Sequence, residues 1–191
     1  MRPSSKPPAT YEDLKRVSDD KLAQIVDGEL VVSPRPAIPH QHVLSTLGMD
    51  LGPPFQRGRG GPGGWWFLDE PELHFGPDVL VPDIAGWRRE RFPVLPTGPF
   101  LTLAPDWLCE ILSPSTAGLD RVRKMSIYRR VGVTHVWLID PVGRSLEIFR
   151  ADGDAWKRVS SFEGEDIARA EPFDAIELTL ADLWLPNPET P

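Results

Sequence analysis

Cysteine is almost absent from this sequence of 191 residues, since Cys109 is the single one. An internal disulfide and a zinc site built from several cysteines are therefore excluded. Long apolar runs are also lacking, so we expect no membrane-spanning helix and no membrane partner. The first ten residues, MRPSSKPPAT, contain no apolar segment of the kind that signal peptides require. These absences favour a cytoplasmic protein.

Positive charge is scarce as well, with 21 Lys and Arg against 28 Asp and Glu and a net charge of −7. This balance is not typical of a protein that grips nucleic acid without regard to sequence. A carboxylate cluster that binds divalent cations, or a local basic patch, would offset it. Two basic clusters stand out, and they are Arg88, Arg89 and Arg91, and Arg121, Arg123, Lys124, Arg129 and Arg130.

Apolar spacing and turn residues predict one domain over residues 11–185, with loosely ordered tails at 1–10 and 186–191. The predicted helices are 11–25, with a break near residues 18–20 that could begin a second helix, 40–51 and 120–131. The predicted strands are 29–32, 65–75, 79–84, 107–112, 134–140, a hairpin of 145–150 with 156–160, and 175–180. From residue 40 onward the order is helix, strand, strand, strand, helix, strand, preceded by an extra helix and strand and followed by the hairpin. This order predicts an α/β or α+β fold, in which a mixed central sheet is flanked by helices.

Two acidic residues lie inside apolar strand segments. Asp83 follows Val81-Pro82, and Glu110 is the charged residue of the segment 107–112. A buried carboxylate without a partner costs several kcal/mol to desolvate, so each acid should be paired or bound to a metal. On neighbouring strands the two carboxylates would supply the hard oxygen ligands that Mg²⁺ or Mn²⁺ prefers. The alternative is that each acid pairs with its own arginine or points outward at a strand end.

Several segments together resemble the Uma2 family over roughly residues 10 to 185. The matching segments are Asp27-Gly28-Glu29-Leu30, Ser33-Pro34, His40, Val81-Pro82-Asp83-Ile84, Glu110-Ile111-Leu112-Ser113-Pro114-Ser115, Asp120 to Tyr128, Gly132-Val133 and Trp137 to Pro141. That family is similar to the PD-(D/E)XK restriction endonucleases, and its members are generally described as endonucleases. The resemblance therefore implies a restriction-endonuclease-like core.

The resemblance also implies roles for individual residues. Asp83 and Glu110 would be catalytic metal ligands, with the backbone carbonyl of Ile111 as a third. The simple pattern places a lysine two residues after the second acid, and here that position is Leu112. Lys124 on the following helix matches in its place, where it would orient water or stabilise charge on a phosphate. The alternative for Lys124 is an exposed ion pair with Asp120 on the same helix.

Four further residues are accessory candidates. Glu29 would either reach the metal or cap its turn, and His40 would contact a substrate phosphate or bond to the backbone at its helix start. Glu72, which alternates with His74 on a strand, is either a neighbour of the site or part of an exposed strand face. Tyr128 lies four residues after Lys124, on the same helix face.

These residues together predict a Mg²⁺- or Mn²⁺-dependent endonuclease that hydrolyses phosphodiester bonds, with DNA as the expected substrate and RNA or a small phosphodiester as alternatives. A catalytically inactive binding module with the same fold is a second reading. A third is an unrelated metal hydrolase that uses His74 or His40. A homodimer is expected, because enzymes that cut duplexes often pair two sites and two-fold dimers are the commonest assemblies.

Overall fold

The computed structural model describes residues 7–114 and 117–186. Its first helix, α1, is Tyr11–Lys15, and it begins with a reciprocal capping box between Thr10 and Asp13. The chain does break near residues 18–20, but the prediction of a helix beyond that break is wrong. Strand β1 (Lys21–Val26) takes over and pairs antiparallel with β2 (Glu29–Pro34). Asp27 and Gly28 both have positive φ between the two strands, which is the backbone that a tight hairpin turn requires.

The remaining elements follow in chain order. They are α2 (Ile38–Leu51) with a π-helical turn (Gly52–Gln56), β3 (Trp65–Asp69), β4 (Leu73–Phe75), β5 (Asp78–Leu80), β6 (Ile84–Arg88), β7 (Trp107–Ile111), a π-helical segment (Leu119–Lys124) continued by α3 (Met125–Val131), β8 (His135–Asp140), β9 (Ser145–Asp152), β10 (Ala155–Glu163), β11 (Ile167–Ala168), β12 (Leu178–Thr179) and a 3₁₀ turn (Leu180–Leu183). Within the described residues the strands form a large sheet in the order β10-β9-β8-β7-β6-β3, a smaller sheet in the order β2-β1-β5-β4, and the ribbon β11-β12.

The large sheet is mixed, because β7 and β8 run parallel while its other neighbours are antiparallel. One face packs on α2, through Val43 and Leu47, and on the C-terminal segment around Phe173. The other face packs on α3, through Ile127 and Tyr128, and on residues of the smaller sheet. Helices therefore cover both faces, as the element order predicts.

Two predicted strands are in fact four. The segment 65–75 divides into β3 and β4 at Glu70 and Pro71, and Glu70 has a φ of 46°. The segment 79–84 divides into β5 and β6 across Val81, Pro82 and Asp83. Each break contains a proline, which cannot donate to a strand ladder. Asp83 therefore lies in a link between the two sheets and not inside a strand.

Other boundaries also differ from the sequence-based expectation. The strand expected at 175–180 is reduced to Leu178–Thr179, followed by the 3₁₀ turn. Of the expected tails, residues 1–6 and 187–191 lie outside the described residues, as does Ser115 of the family motif. Ala9 is held by a backbone hydrogen bond to the carbonyl of Gly28 (2.8 Å). In the described part of the chain, no helix is long and apolar enough to cross a membrane.

Candidate active site

The register of the large sheet places Asp83 next to Glu110. Ile84 pairs with Cys109 across β6 and β7, so one step along the ladder sets Asp83 opposite Glu110. Ile84 and Cys109 both lie in the core on the α2 side. Because side chains alternate along strands, Glu110 points to the opposite face, towards α3. Asp83 lies beside it in the link before β6 and contacts His40 of α2. Cys109 is thus a core residue, and burial raises the pKa of its thiol well above the ordinary value.

Asp83 is buried and both of its carboxylate oxygens have partners. Oδ2 accepts the backbone N–H of Ile111 at 2.6 Å, and Oδ1 lies 3.0 Å from Nε2 of His40. His40 belongs to the first turn of α2. Its side chain contacts Asp83 and does not bond to the backbone at the helix start. Burial lowers the pKa of His40, but its hydrogen bond to Asp83 and the carboxylate charge outweigh burial, and the net pKa is raised. The ring atom Nδ1 of His40 is buried without a partner.

Glu110 lies at the centre of a second group of contacts. Its Oε1 is 2.7 Å from Nζ of Lys124 and also accepts a short hydrogen bond from the hydroxyl of Tyr128. Nζ of Lys124 is also 3.3 Å from Oδ1 of Asp120. The side chain of Lys124 is 2% exposed, so the expectation of an exposed ion pair with Asp120 alone is wrong. The ammonium is buried between two carboxylates.

The helix that carries these residues departs from α-helical geometry where it meets the site. Residues Leu119–Lys124 form a π-helical segment and only Met125–Val131 is α-helical, although the sequence predicts one α-helix from residue 120. Asp120 and Lys124 are buried within the π-helical segment and project together towards Glu110. Such wide turns occur frequently at functional sites. The helix ends at Gly132, whose φ of 92° is left-handed, as expected of a C-terminal glycine.

The site concentrates acidic groups around one buried ammonium. The carboxyl groups of Glu110 and Asp120 contact Lys124, and Asp83 lines the same cavity. Burial raises the pKa of Glu110 to about 8, and the carboxylates of Asp120 and Asp83 add to this effect against the opposing influence of Lys124. Burial lowers the pKa of Lys124, but Glu110, Asp120 and Asp83 together raise it overall. A cation bound beside Glu110 would oppose the rise in the pKa of Glu110 and favour the ionised carboxylate.

These residues line a cavity of about 270 Å³. Its polar floor contains Asp83, Glu110, Asp120, Lys124 and His40. Its walls are mainly apolar and come from β1, from the connection between β2 and α2, and from the segments that follow β7 and β8. The apolar wall residues include Leu22, Pro34, Pro36, Pro39, Leu112, Pro114, Pro141 and Val142. The cavity connects the buried acids to the surface.

The donor chemistry of the floor fits a hard divalent cation. Mg²⁺ is commonly held by one or two carboxylates and completes its shell with water and substrate oxygens. Asp83 and Glu110 supply two carboxyl groups to one cavity, and Ile111 lines the same cavity. Within the ranges 7–114 and 117–186, however, no three His, Cys, Asp or Glu side chains are already gathered as a metal-binding group. A bound cation would thus depend on the two carboxylates, the backbone carbonyl of Ile111 and non-protein ligands.

Of the four accessory candidates, only His40 lines the cavity, and Tyr128 reaches the site through its hydrogen bond to Glu110. Glu29 is 60% exposed and pairs with Arg123 at 2.8 Å. Glu72 accepts hydrogen bonds from Tyr11 and from Nε2 of His74, both at 2.7 Å. His74 is also outside the cavity and stacks on Phe100.

Sequence reasoning missed two residues of the cavity. Asp120 was considered only as a helix partner of Lys124, and its spacing of four residues was the available signal. Arg35 lines the cavity wall, and nothing in its sequence context distinguishes it.

The basic clusters of the sequence are engaged within the protein. Arg121 pairs with Glu147, Arg123 with Asp27 and Glu29, Arg130 with Asp78, and Arg91 with Asp106, while Arg129 donates to the carbonyl of Gly153. Arg88 and Arg89 lie over the rings of Trp65 and Trp66. Most arginines of the two candidate clusters therefore already have partners within the protein.

Comparison with known proteins agrees with this architecture. The model of the Uma2 family, described as "putative restriction endonuclease", matches residues 8–181. The structure is similar to the crystal structure of a protein from Anabaena variabilis described as "a putative nuclease belonging to DUF820", with a TM-score of 0.73. The two chains are 22% identical, and the likeness covers 92% of this chain and 97% of the other. This similarity confirms the predicted fold class. No functionally curated protein matches the chain.

Proposed function

The chain belongs to the Uma2 family, and from that premise we propose that it is a metal-dependent endonuclease that hydrolyses phosphodiester bonds in DNA. The observation that carries the proposal is that Asp83 and Glu110 line one cavity, with Nζ of Lys124 at 2.7 Å from Glu110. Two carboxylates and one cation in a shared cavity are the groups that phosphodiester hydrolysis requires. The family description and the description of the Anabaena protein support a nuclease.

Asp83 and Glu110 would hold Mg²⁺ or Mn²⁺, with the backbone carbonyl of Ile111 as a further ligand. When bound, such an ion polarises a phosphate and lowers the pKa of a coordinated water. The chain's own residues fix the geometry around it. His40 and the N–H of Ile111 hold the Asp83 carboxylate, and Tyr128 donates to Glu110. Preorganised contacts of this kind avoid reorganisation during the reaction.

Lys124 supplies the fixed positive charge of the site. Asp120 and Glu110 hold its ammonium in place at the cavity floor. There it is positioned to stabilise the negative charge that develops on a phosphate oxygen. The long, flexible side chain reaches this point from a helix, which compensates for Leu112 in place of the usual lysine. The apolar cavity walls exclude water and so strengthen these charge interactions.

Cleavage assays with matched variants test the proposal. The unmodified protein should cut DNA and the small phosphodiester bis(p-nitrophenyl) phosphate in Mn²⁺ or Mg²⁺ and should lose activity in EDTA. Asp83→Asn and Glu110→Gln should reduce cleavage by at least about a hundredfold. Glu177→Gln is the control, because Glu177 is exposed and pairs with Arg169 at 3.0 Å. Activity that survives EDTA, or folded variants that cut as well as the parent, would contradict the assignment.

A second candidate is a binding module that kept the fold without catalysis. Two observations favour it: Leu112 is buried where the simple pattern has a lysine, and Lys124 already occupies the neighbourhood of Glu110. Titration calorimetry separates the two functions. Heat from Mn²⁺ binding that disappears in Glu110→Ala supports the enzyme, whereas no heat with either protein supports the binding module. Homodimer formation and a cytoplasmic location remain parts of the proposal, and sedimentation would test the first.

A further inference from the structure

The walls of the catalytic cavity are suited to the flat face of a base. Pro34 and Pro36 come from the connection between β2 and α2, and Pro114 and Pro141 follow the parallel strands β7 and β8. Proteins that act on an unpaired nucleotide commonly hold its base between aromatic or apolar side chains. A space of about 270 Å³ also suits one nucleotide much better than a stacked duplex.

Arg35 is the accessible cation of this cavity. Among the described residues that line the cavity, the Lys and Arg side chains are Lys124 and Arg35, and Lys124 is held by Glu110 and Asp120. The side chain of Arg35 is 52% exposed. It donates to the carbonyl of Asp19 at 2.7 Å and lies only within 4.0 Å of Glu70. Most of its donors therefore remain accessible to a phosphate.

A second cavity, of about 360 Å³, adjoins the first and shares Leu22, Arg35 and Val81 with it. Lys15 and Lys21 line this second cavity. Arg35 thus lies where a nucleic-acid strand that leaves the catalytic cavity would enter the second cavity. Asp19, Glu70 and Glu72 also line the second cavity, so this path is close to neutral and would add little non-specific attraction.

A protein that grips duplex DNA neutralises about six to ten phosphates with free Lys and Arg side chains. The two basic clusters of this chain are instead engaged by its own carboxylates, carbonyls and indole rings. Recognition by the catalytic cavity and one arginine requires only a short, flexible stretch of strand. These features favour an unpaired segment over a duplex.

We propose that the substrate is single-stranded or unpaired DNA, of which one nucleotide enters the proline-walled cavity while Arg35 holds the adjoining phosphate. This inference rests on the proposed function and specifies its substrate. Arg35 then determines specificity through the position of the strand, whereas Asp83, Glu110 and Lys124 remain at the reacting phosphate.

Binding measurements with labelled oligonucleotides test the inference without turnover. Fluorescence anisotropy of one sequence, as a single strand and as a blunt duplex, is measured in EDTA and again in Ca²⁺. The single strand should bind at least about tenfold more tightly, with a salt slope close to −1, because each phosphate contact contributes about −0.7. Arg35→Gln should weaken single-strand binding about tenfold, and Arg35→Lys should weaken it less. Arg169→Gln is the control, since Arg169 is similarly exposed and lines neither cavity.

Three results would overturn the inference: duplex binding as tight as single-strand binding, equal affinities for Arg35→Gln and Arg169→Gln, or no binding under either condition. Failure of the proposed function has a different signature, because a small phosphodiester needs no strand recognition. Mn²⁺-dependent cleavage of bis(p-nitrophenyl) phosphate together with a preference for duplex DNA would refute only the proposed single-stranded substrate. Absence of cleavage with every substrate would refute the proposed hydrolase function.

Discussion

Replacement of Lys124 by methionine removes the ammonium that lies 2.7 Å from Glu110 and 3.3 Å from Asp120. Methionine fills a similar volume, so the main change is the loss of charge among buried carboxylates. Breaking a buried ion pair by removing one partner costs about 3–5 kcal/mol. Glu110 can take up a proton, because its pKa is raised to about 8 by burial and by the neighbouring acids. We therefore expect the lower part of that range at pH 6 and the upper part at pH 9.

Thermal unfolding in EDTA measures this effect. For a domain of this size, 1 kcal/mol corresponds to about 2–4 °C, so Lys124→Met should lower Tm by on the order of 10 °C. The double variant Lys124→Met, Glu110→Gln should be at least about 1 kcal/mol more stable than Lys124→Met, since it leaves no charge on Glu110. Lys157→Met is the control, because Lys157 is exposed on β10, and its effect should stay within about 0.5 kcal/mol. If Lys124→Met and Lys157→Met shift Tm equally, the buried charge cluster does not exist.

Three further outcomes are expected. In EDTA the protein should lose stability as pH rises from about 4.5 to about 8, because the pKa of Glu110 is higher in the folded state than in the unfolded state. Denaturant titrations should show a weaker pH dependence of stability for Glu110→Gln than for the unmodified protein. The buried Cys109 thiol should resist a thiol reagent until the protein unfolds, and rapid labelling of the native protein would contradict its core position. Gly132→Ala should lower the free energy of unfolding by about 1 kcal/mol, because Gly132 has a left-handed φ of 92°. Gly118→Ala is the control and should not destabilise the protein, because Gly118 has a φ of −67°. Equal Tm shifts for the two variants would contradict this prediction.

The presence of Asp83 and Glu110 in one cavity could be anticipated from the sequence, because acids in apolar segments need a partner or a metal. The division of the chain into two sheets could not be anticipated from strand periodicity alone. Pro71 and Pro82 mark the breaks, but a proline is also compatible with an edge strand. Residues Lys21–Val26 show the opposite error, since their apolar spacing fits a helix and only pairing with β2 makes them a strand.

The position of Lys124 in the site followed from the family resemblance and not from helical spacing. Helical periodicity indicated an exposed pair with Asp120, because it cannot detect that Leu119–Lys124 is a π-helical segment. Asp120 was therefore missed as a residue of the cavity. Neutralisation of the arginine clusters was equally invisible, because it depends on distant partners such as Glu147 for Arg121 and Asp78 for Arg130.

A crystal structure with Mn²⁺, phased to reveal the ion by its anomalous signal, tests the central claim most directly. We expect one peak in the cavity, at ligand distance from a carboxylate oxygen of Asp83 and one of Glu110, and the loss of that peak in Glu110→Gln. A cavity without a peak at saturating Mn²⁺, or an ion bound elsewhere while Lys124 keeps its contact with Glu110, would contradict the account.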